Sequence, residues 1–310
     1  MSKNSTALKN MGDVFSEFEK YGLKVRCLEP ETVQRQRRAT ERLLPQLGVV
    51  DLPSLQRIKP ARLEQFMVTL AKEKGPGTYH GACYGLRSFF RYAEVAKIVD
   101  RPLQDWIPTV HKPKLDKVPY CLSLDLIHKL LKSLDLTNPR DTQDSAVLNM
   151  LADYGVRGIQ IRKLKLSDID WSNDRIHFPK AKRGRRLVMP LTAPVGNSLL
   201  RYLREVRPQS PYSEVFLSYN KREPLHDADS LTCMVNSRLK KARIQLPKDV
   251  PVGTHLFRHS LASRLLQEDV PLKQIADVLG HRHLNTTFVY TKVDLNSLKQ
   301  VCLEWPEVQQ

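Results

Sequence analysis

Several features that would assign this chain to a class at once are scarce or missing. Its 310 residues include only five cysteines, an odd number set far apart (Cys27, Cys83, Cys121, Cys233, Cys302). That pattern fits neither a disulfide framework nor a CxxC metal site, so they read as reduced thiols of a cytoplasmic protein. No apolar run reaches the roughly 18 residues of a membrane span, and residues 1–10 are polar, without the apolar core of a secretory leader. There is no internal repeat and no low-complexity stretch. Acidic side chains are in short supply, 33 against 50 Lys and Arg, for a formal net charge of +17. In a chain whose hydrophobic fraction of 41% is enough for a packed core, that excess points first to nucleic acid.

The first third reads as a bundle of four or five short helices. Val14, Phe15 and Phe18 recur at helical spacing, and Pro30 opens a second segment where Val33, Ala39 and Leu43 alternate with arginines. Pro60 leads into Leu63, Phe66, Met67 and Leu70. Gly75-Pro76-Gly77 then breaks the chain before a long helix through Leu86, Phe89, Phe90 and Ala93. Pro102, Pro108, Pro113 and Pro119 prevent a continuous helix. The spacing therefore predicts an N-terminal helical domain over 1–105, a Pro/Lys-rich linker over 106–120 and a second domain over 121–310. The second domain begins with helices over 124–131 and 147–154. A β region follows, in which residues 175–178 and 186–189 flank a basic tip and 214–218 form a further strand. Helices dominate from Ala228 onward. The fold class is mainly α with a small β-sheet. Arginines of the second helix (Arg35, Arg38, Arg42), linker lysines (Lys112, Lys114, Lys117) and the basic tip (Lys180, Arg183, Arg185) are the candidate contacts to a phosphate backbone. The positive excess is shared by residues 1–110 and 111–310, as expected of a protein that grips a duplex from two sides.

Three short motifs carry chemistry. In Thr254-His-Leu-Phe-Arg-His, His255 and Arg258 are three apart and share one helical face, while Phe257, Leu261 and Leu265 form the opposite, buried stripe. Leu272, Ile275, Ala276 and Leu279 define another amphipathic helix, with Gly280 where a C-terminal glycine cap belongs and His281 directly after it. Nine residues later comes Tyr290, in Thr286-Thr-Phe-Val-Tyr-Thr. Together these resemble the tyrosine recombinase (phage integrase, Xer-like) family. Upstream, Asp153-Tyr-Gly-Val-Arg-Gly-Ile-Gln is similar to the family's first arginine box, with Arg157 at the arginine position. The stretch from Pro179 to Pro190 resembles its lysine hairpin, in which Lys182 matches best and Lys180 competes. Two departures stand out: Gln160 replaces the usual acidic residue, and Phe257 precedes Arg258 where Leu is commoner.

The resemblance implies an N-terminal helical bundle, a mixed catalytic domain and a site-specific recombinase active in DNA integration, excision or resolution, as in mobile elements. It implies a 3′-phosphotyrosyl intermediate on Tyr290 and needs no cofactor or metal. Residue types agree. Arg157 and Arg258 offer planar forks to phosphate oxygens, His281 adds a donor, and His255 lies where a proton acceptor for Tyr290 is needed. Lys182 would protonate the departing 5′-oxygen. The implied partner is double-stranded DNA with paired inverted-repeat sites. The implied assembly is a monomer in solution and a homotetramer on two sites, exchanging the tail 294–310, where Leu295, Leu298, Cys302 and Trp305 share a helical face. The protein would be cytoplasmic and nucleoid-associated. Two alternatives compete with this reading. One is a DNA-binding relative without catalysis. The other is a metal-dependent nuclease using His255, His259, His281 and His283, though no HExxH pattern or acidic cluster accompanies them. A type IB topoisomerase shares the chemistry.

Overall fold

The computed structural model describes residues 10–110, 120–181, 186–225, 228–247 and 250–293. The chain divides into two compact units, 1–114 and 115–310.

The first unit holds α1 (Met11–Lys20), α2 (Pro30–Leu43), α3 (Leu52–Gln56), α4 (Pro60–Glu73) and α5 (Pro76–Val95). Proline stands in the first turn of α2, α4 and α5, where its missing N–H is no loss. At α1, Asn10 accepts from the Asp13 N–H and Asp13 reaches back to the Asn10 N–H, a reciprocal cap. The core packs Phe18 edge-on against Phe89, 5.5 Å between ring centres, with Val14, Leu63, Met67 and Leu86 around them. The packed unit runs past residue 105. Ile107 is buried, and Arg87 donates to the carbonyls of Ile107 and Pro108. Arg35, Arg38 and Arg42 are exposed on α2, whereas Arg37 is spent on Glu19 and Glu41.

The second unit is built around α7 (Pro139–Tyr154), buried on nearly every side. Around it stand α6 (Leu124–Lys132), α8 (Gly158–Arg162), α9 (Ala193–Arg201), α10 (Ala228–Lys241), α11 (Thr254–Gln267) and α12 (Leu272–Val278). A three-stranded antiparallel sheet lies between α8 and α9, in the order β1 (Ile169–Asp170), β2 (Arg175–Phe178), β3 (Leu187–Pro190), with Ile169 opposite Ile176 and Phe178 opposite Leu187. The expected strand at 214–218 does not form. Lys165 and Glu214, and Leu217 and Pro224, make single bridges only. Val215, Phe216 and Leu217 are buried in succession, without the alternation of a strand, and Pro224 has no N–H with which to extend a ladder. The third strand is instead β1, two residues directly following a 3₁₀ turn at Leu166–Asp168 and too short to show a period of two.

A helix buried all round must satisfy its polar side chains internally. Arg238 on α10 pairs with Asp141 and Asp144 of α7 at 2.6 Å each, and Lys241 reaches Asp141 at 3.0 Å. Arg238→Met keeps the bulk but leaves two buried carboxylates without their principal cation. It should cost about 3–5 kcal/mol, read as a lower denaturant midpoint at unchanged slope. An unchanged midpoint would show that the triad does not tie α7 to α10.

Candidate active site

Five chain segments converge at the end of α7. The first is the turn out of that helix. Gly155 takes the left-handed conformation (φ +55°), and a Cβ there would lie 2.9 Å from Leu261 and 3.2 Å from Leu279. Glycine is therefore required twice, for backbone angle and for space. The turn delivers Arg157 to the start of α8. Gln160, buried, accepts from the Arg157 N–H at 3.0 Å, and its amide donates to the Pro179 carbonyl at 3.1 Å. The family's usual carboxylate could accept the first bond but, ionised, could not donate the second. The amide thus ties the arginine turn to the β2–β3 ribbon.

The second segment is α11, which carries Arg258 on its inner face, 2% exposed. Its Nη1 donates to the Gly155 carbonyl at 2.8 Å and its Nη2 to the Leu279 carbonyl at 2.5 Å. These carbonyls lie at the C-terminal ends of α7 and α12, where helix dipoles present negative charge. Burial first, then the charge of Arg157, lower the guanidinium pKa to about 10, so it stays cationic at neutral pH.

The third is the end of α12. His281 N–H bonds to Ala276 O and Gly280 N–H to Asp277 O, with Gly280 at φ +61°. This double closure is the Schellman motif, and it makes the residue after the glycine part of the cap. His281 is therefore fixed by its backbone. It is buried, and its Nδ1 lies 2.8 Å from Thr287 Oγ1. Burial, then the charges of Arg258 and Arg157, depress its pKa to about 3.

The fourth segment is the 3₁₀ turn at Phe288–Val293, which carries Tyr290, 2% exposed. The Tyr290 hydroxyl lies 3.1 Å from His259 Nδ1. Burial raises the phenol pKa, while Arg258 and Arg157 pull it down. Burial, then His255 and Arg258, lower the His259 pKa to about 4. His255 lies one turn earlier on α11, exposed, with its ring centre 6.1 Å from that of His259, and its pKa is also lowered. The imidazole touching the phenol is thus His259, where the sequence reading put His255. The fifth segment opens the second unit. Cys121 Sγ lies 2.9 Å from Ser263 Oγ, and Leu122 N–H donates to Ser260 Oγ.

Of the residues singled out from sequence, Arg157 and Arg258 act electrostatically on each other and on both His281 and Tyr290. Lys180 is exposed just beyond β2. Lys182, Arg183, Arg185, Lys112, Lys114, Lys117 and the tail 294–310 lie outside the described residues. His259, Gly155, Thr287 and Cys121 were not singled out as parts of this site. His259 had one signal, its i, i+4 spacing from His255, which had suggested metal binding. Among the described residues, no three His, Cys, Asp or Glu side chains come together as a metal site, and no helix is long and apolar enough to cross a membrane.

Residues 121–296 match the model of the phage integrase family. The chain belongs to that family. It is 37% identical over 224 residues, 71% of its length, to "Putative integrase/recombinase y4rA" of Sinorhizobium fredii, of which it covers 53%. It is 30% identical over 76% of its length to tyrosine recombinase XerD of Listeria innocua, covering 78% of it. The chain thus spans about half the length of the first of these curated relatives. Its fold matches XerH recombinase bound to a palindromic difH substrate in a post-cleavage complex, with TM-score 0.66, 20% identity, and coverage of 92% of this chain and 83% of that one. It also matches a lambda integrase dimer bound to a COC′ core site, with TM-score 0.65, 16% identity, and coverage of 97% and 81%.

Histidines held this low stay neutral across the ordinary range. In the DNA-free protein, the His259 and His281 ring resonances should not move between pH 8 and pH 5.5. A midpoint near 6.5 for either would contradict the buried, cation-flanked site. The linkage has a definite sign. Above about pH 6.5 both folded and unfolded chains are neutral at these rings, so neither ring affects stability there. As pH falls below 6.5 the unfolded chain takes up protons that the folded one refuses. Stability then drops, by about 1.4 kcal/mol per pH unit for each ring, until the folded pKa values are reached.

Proposed function

We propose that this chain cuts and rejoins DNA strands at specific sites through a covalent 3′-phosphotyrosyl link on Tyr290. The observation that carries this reading is a buried phenol within hydrogen-bonding distance of a neutral imidazole, beside two arginines.

The phenol has an ordinary pKa near 10, and here it is higher still, so it needs a base. His259 Nδ1 accepts the hydroxyl proton as the Tyr290 oxygen attacks phosphorus. The P–O bond to the 5′-oxygen breaks, and that oxygen takes a proton from a lysine of the β2–β3 ribbon, Lys182 or Lys180. Negative charge grows on the two non-bridging oxygens during attack. Arg258, with two donors already fixed on backbone carbonyls, presents its remaining ones without reorganisation. Arg157 supplies a second fork and His281 one more donor. His255, exposed on the same helix, is free for a phosphate oxygen. The phosphodiester energy is kept in the protein–DNA bond, so a 5′-hydroxyl from another strand reverses the step with no nucleotide cofactor. A strand exchange of this kind needs two DNA sites and several copies of the chain. A tetramer on paired sites in the nucleoid fits that need, and the fold is similar to that of a lambda integrase tetramer bound to a Holliday junction. Arg35, Arg38 and Arg42, exposed on one helix, are suited to the phosphate backbone.

A suicide substrate, nicked so that the 5′-hydroxyl fragment diffuses away, should trap the wild type as an SDS-resistant DNA adduct. Tyr290→Phe should fold and bind DNA but give none. Arg258→Lys should slow adduct formation by roughly 10²–10³, since an ammonium cannot hold two carbonyls and also fork a phosphate. An adduct formed by Tyr290→Phe at the wild-type rate would refute the assignment.

A further inference from the structure

Thr287 plays no part in the chemistry above, yet it is completely buried between the two groups that do. Its Oγ1 lies 2.8 Å from His281 Nδ1, and its carbonyl accepts the Tyr290 N–H at 3.0 Å. One residue therefore grips the imidazole with its side chain and the nucleophile's backbone with its main chain. Thr291, four residues on, shows what such a hydroxyl ordinarily does. Its Oγ1 donates back to the Phe288 carbonyl at 2.8 Å, a local bond of the common kind. Thr287 forgoes that bond for a histidine.

Two proton arrangements satisfy the Thr287–His281 contact, and they are unequal. If His281 Nδ1 carried the proton, Nδ1–H would donate to the hydroxyl, and the hydroxyl's own proton would need another acceptor. Among the described residues the Thr287 side chain has no second partner. If the hydroxyl donates to Nδ1, only lone pairs go unused, and buried acceptors tolerate this better than buried donors. The second arrangement leaves the His281 proton on Nε2.

We propose that Thr287 is a positioning residue that holds His281 as its Nε2–H tautomer, so that a neutral imidazole points a proton donor at the scissile phosphate in register with Tyr290. The proposal rests on the reading of Tyr290 as nucleophile for its catalytic consequence, but not for the tautomer itself. Without Thr287 the ring can place its proton on either nitrogen, and half of the possibilities offer the phosphate a lone pair instead of a donor.

The test has a spectroscopic arm and a kinetic one. With ¹⁵N-labelled histidine in the DNA-free full chain, the His281 signals, assigned by their loss in His281→Ala, should show Nδ1 unprotonated and Nε2 protonated. Thr287→Ser should keep that pattern and Thr287→Val should lose it. In single-turnover adduct formation, Thr287→Val, which retains the carbonyl to Tyr290, should be slower by roughly tenfold to a hundredfold, part of the loss expected for removing one transition-state donor. Thr287→Ser should restore most of the rate. In the His281→Ala background, Thr287→Val should cost nothing further. A wild-type spectrum with the proton on Nδ1 overturns the inference. So does a Thr287→Val protein that reacts at full rate, or one slowed equally in both backgrounds, which would place the effect on packing or on the tyrosine turn. The tautomer is read without DNA, so a wild type that forms no adduct would fail the functional reading while leaving this inference to be decided by the spectrum.

Discussion

A guanidinium held between the C-terminal ends of two helices is the constraint from which the rest of the site follows. Arg258 is buried, and an unpaired buried cation costs several kcal/mol. Among the described residues no carboxylate bonds to it. It donates to the carbonyls of Gly155 and Leu279, groups that a helix end leaves without intrahelical donors, and it also reaches the Tyr290 hydroxyl. The cost of burying the charge is offset by dipoles rather than cancelled by a counter-ion. A carboxylate in their place would neutralise the fork and repel a phosphate. Backbone carbonyls fix the fork and leave it positive.

That choice dictates its surroundings. Gly155 must be left-handed so that α7 ends where its carbonyl meets Nη1, and the two leucines packed against it allow no side chain. The α12 terminus must close tightly enough to leave Leu279 O free for Nη2, which the Gly280 motif does, and the same closure sets His281. Burial, aided by the charge of Arg258, holds both imidazoles neutral, and the two arginines work against the burial that raises the phenol. Neutral rings can accept a proton from Tyr290 or donate one to a phosphate oxygen, whereas imidazolium could do only the latter. Arg157 and Arg258 make the site cationic, and under the proposed function a phosphodiester brings the negative charge that complements it.

How much of this was legible in the sequence depended on whether a feature is a backbone device or a matter of tertiary register. Gly280 and His281 were readable because a glycine after an amphipathic run stops a helix in a known way. Spacing three suggests that His255 and Arg258 share a face, yet Arg258 is turned inward and buried while His255 is exposed. Which imidazole meets Tyr290 was not readable, because α11 presents His255 and His259 one turn apart, and the choice is made by the 3₁₀ turn that carries the phenol. Gln160 stood out as a departure, but its second bond, to Pro179, depends on where the β ribbon lies. The segment at 214–218 looked like a strand because it is apolar and short. It is core-filling chain with isolated bridges, and β1 is too brief to announce itself. In the first unit, the helices were visible from apolar periodicity, while the burial of Ile107, inside the expected linker, goes with a bond from Arg87 that no local pattern encodes.

The most direct test of the account is to find where the DNA is attached. Trypsin acting on a trapped and nuclease-trimmed adduct should release residues 283–292, cut after Arg282 and Lys292, a peptide whose one tyrosine is Tyr290. Mass spectrometry should find that peptide carrying a 3′-phosphonucleotide, with fragment ions placing the added mass on Tyr290. An adduct on any other peptide, or cleavage that leaves no protein–DNA bond, would contradict the claim that this arginine-centred site serves a tyrosine nucleophile.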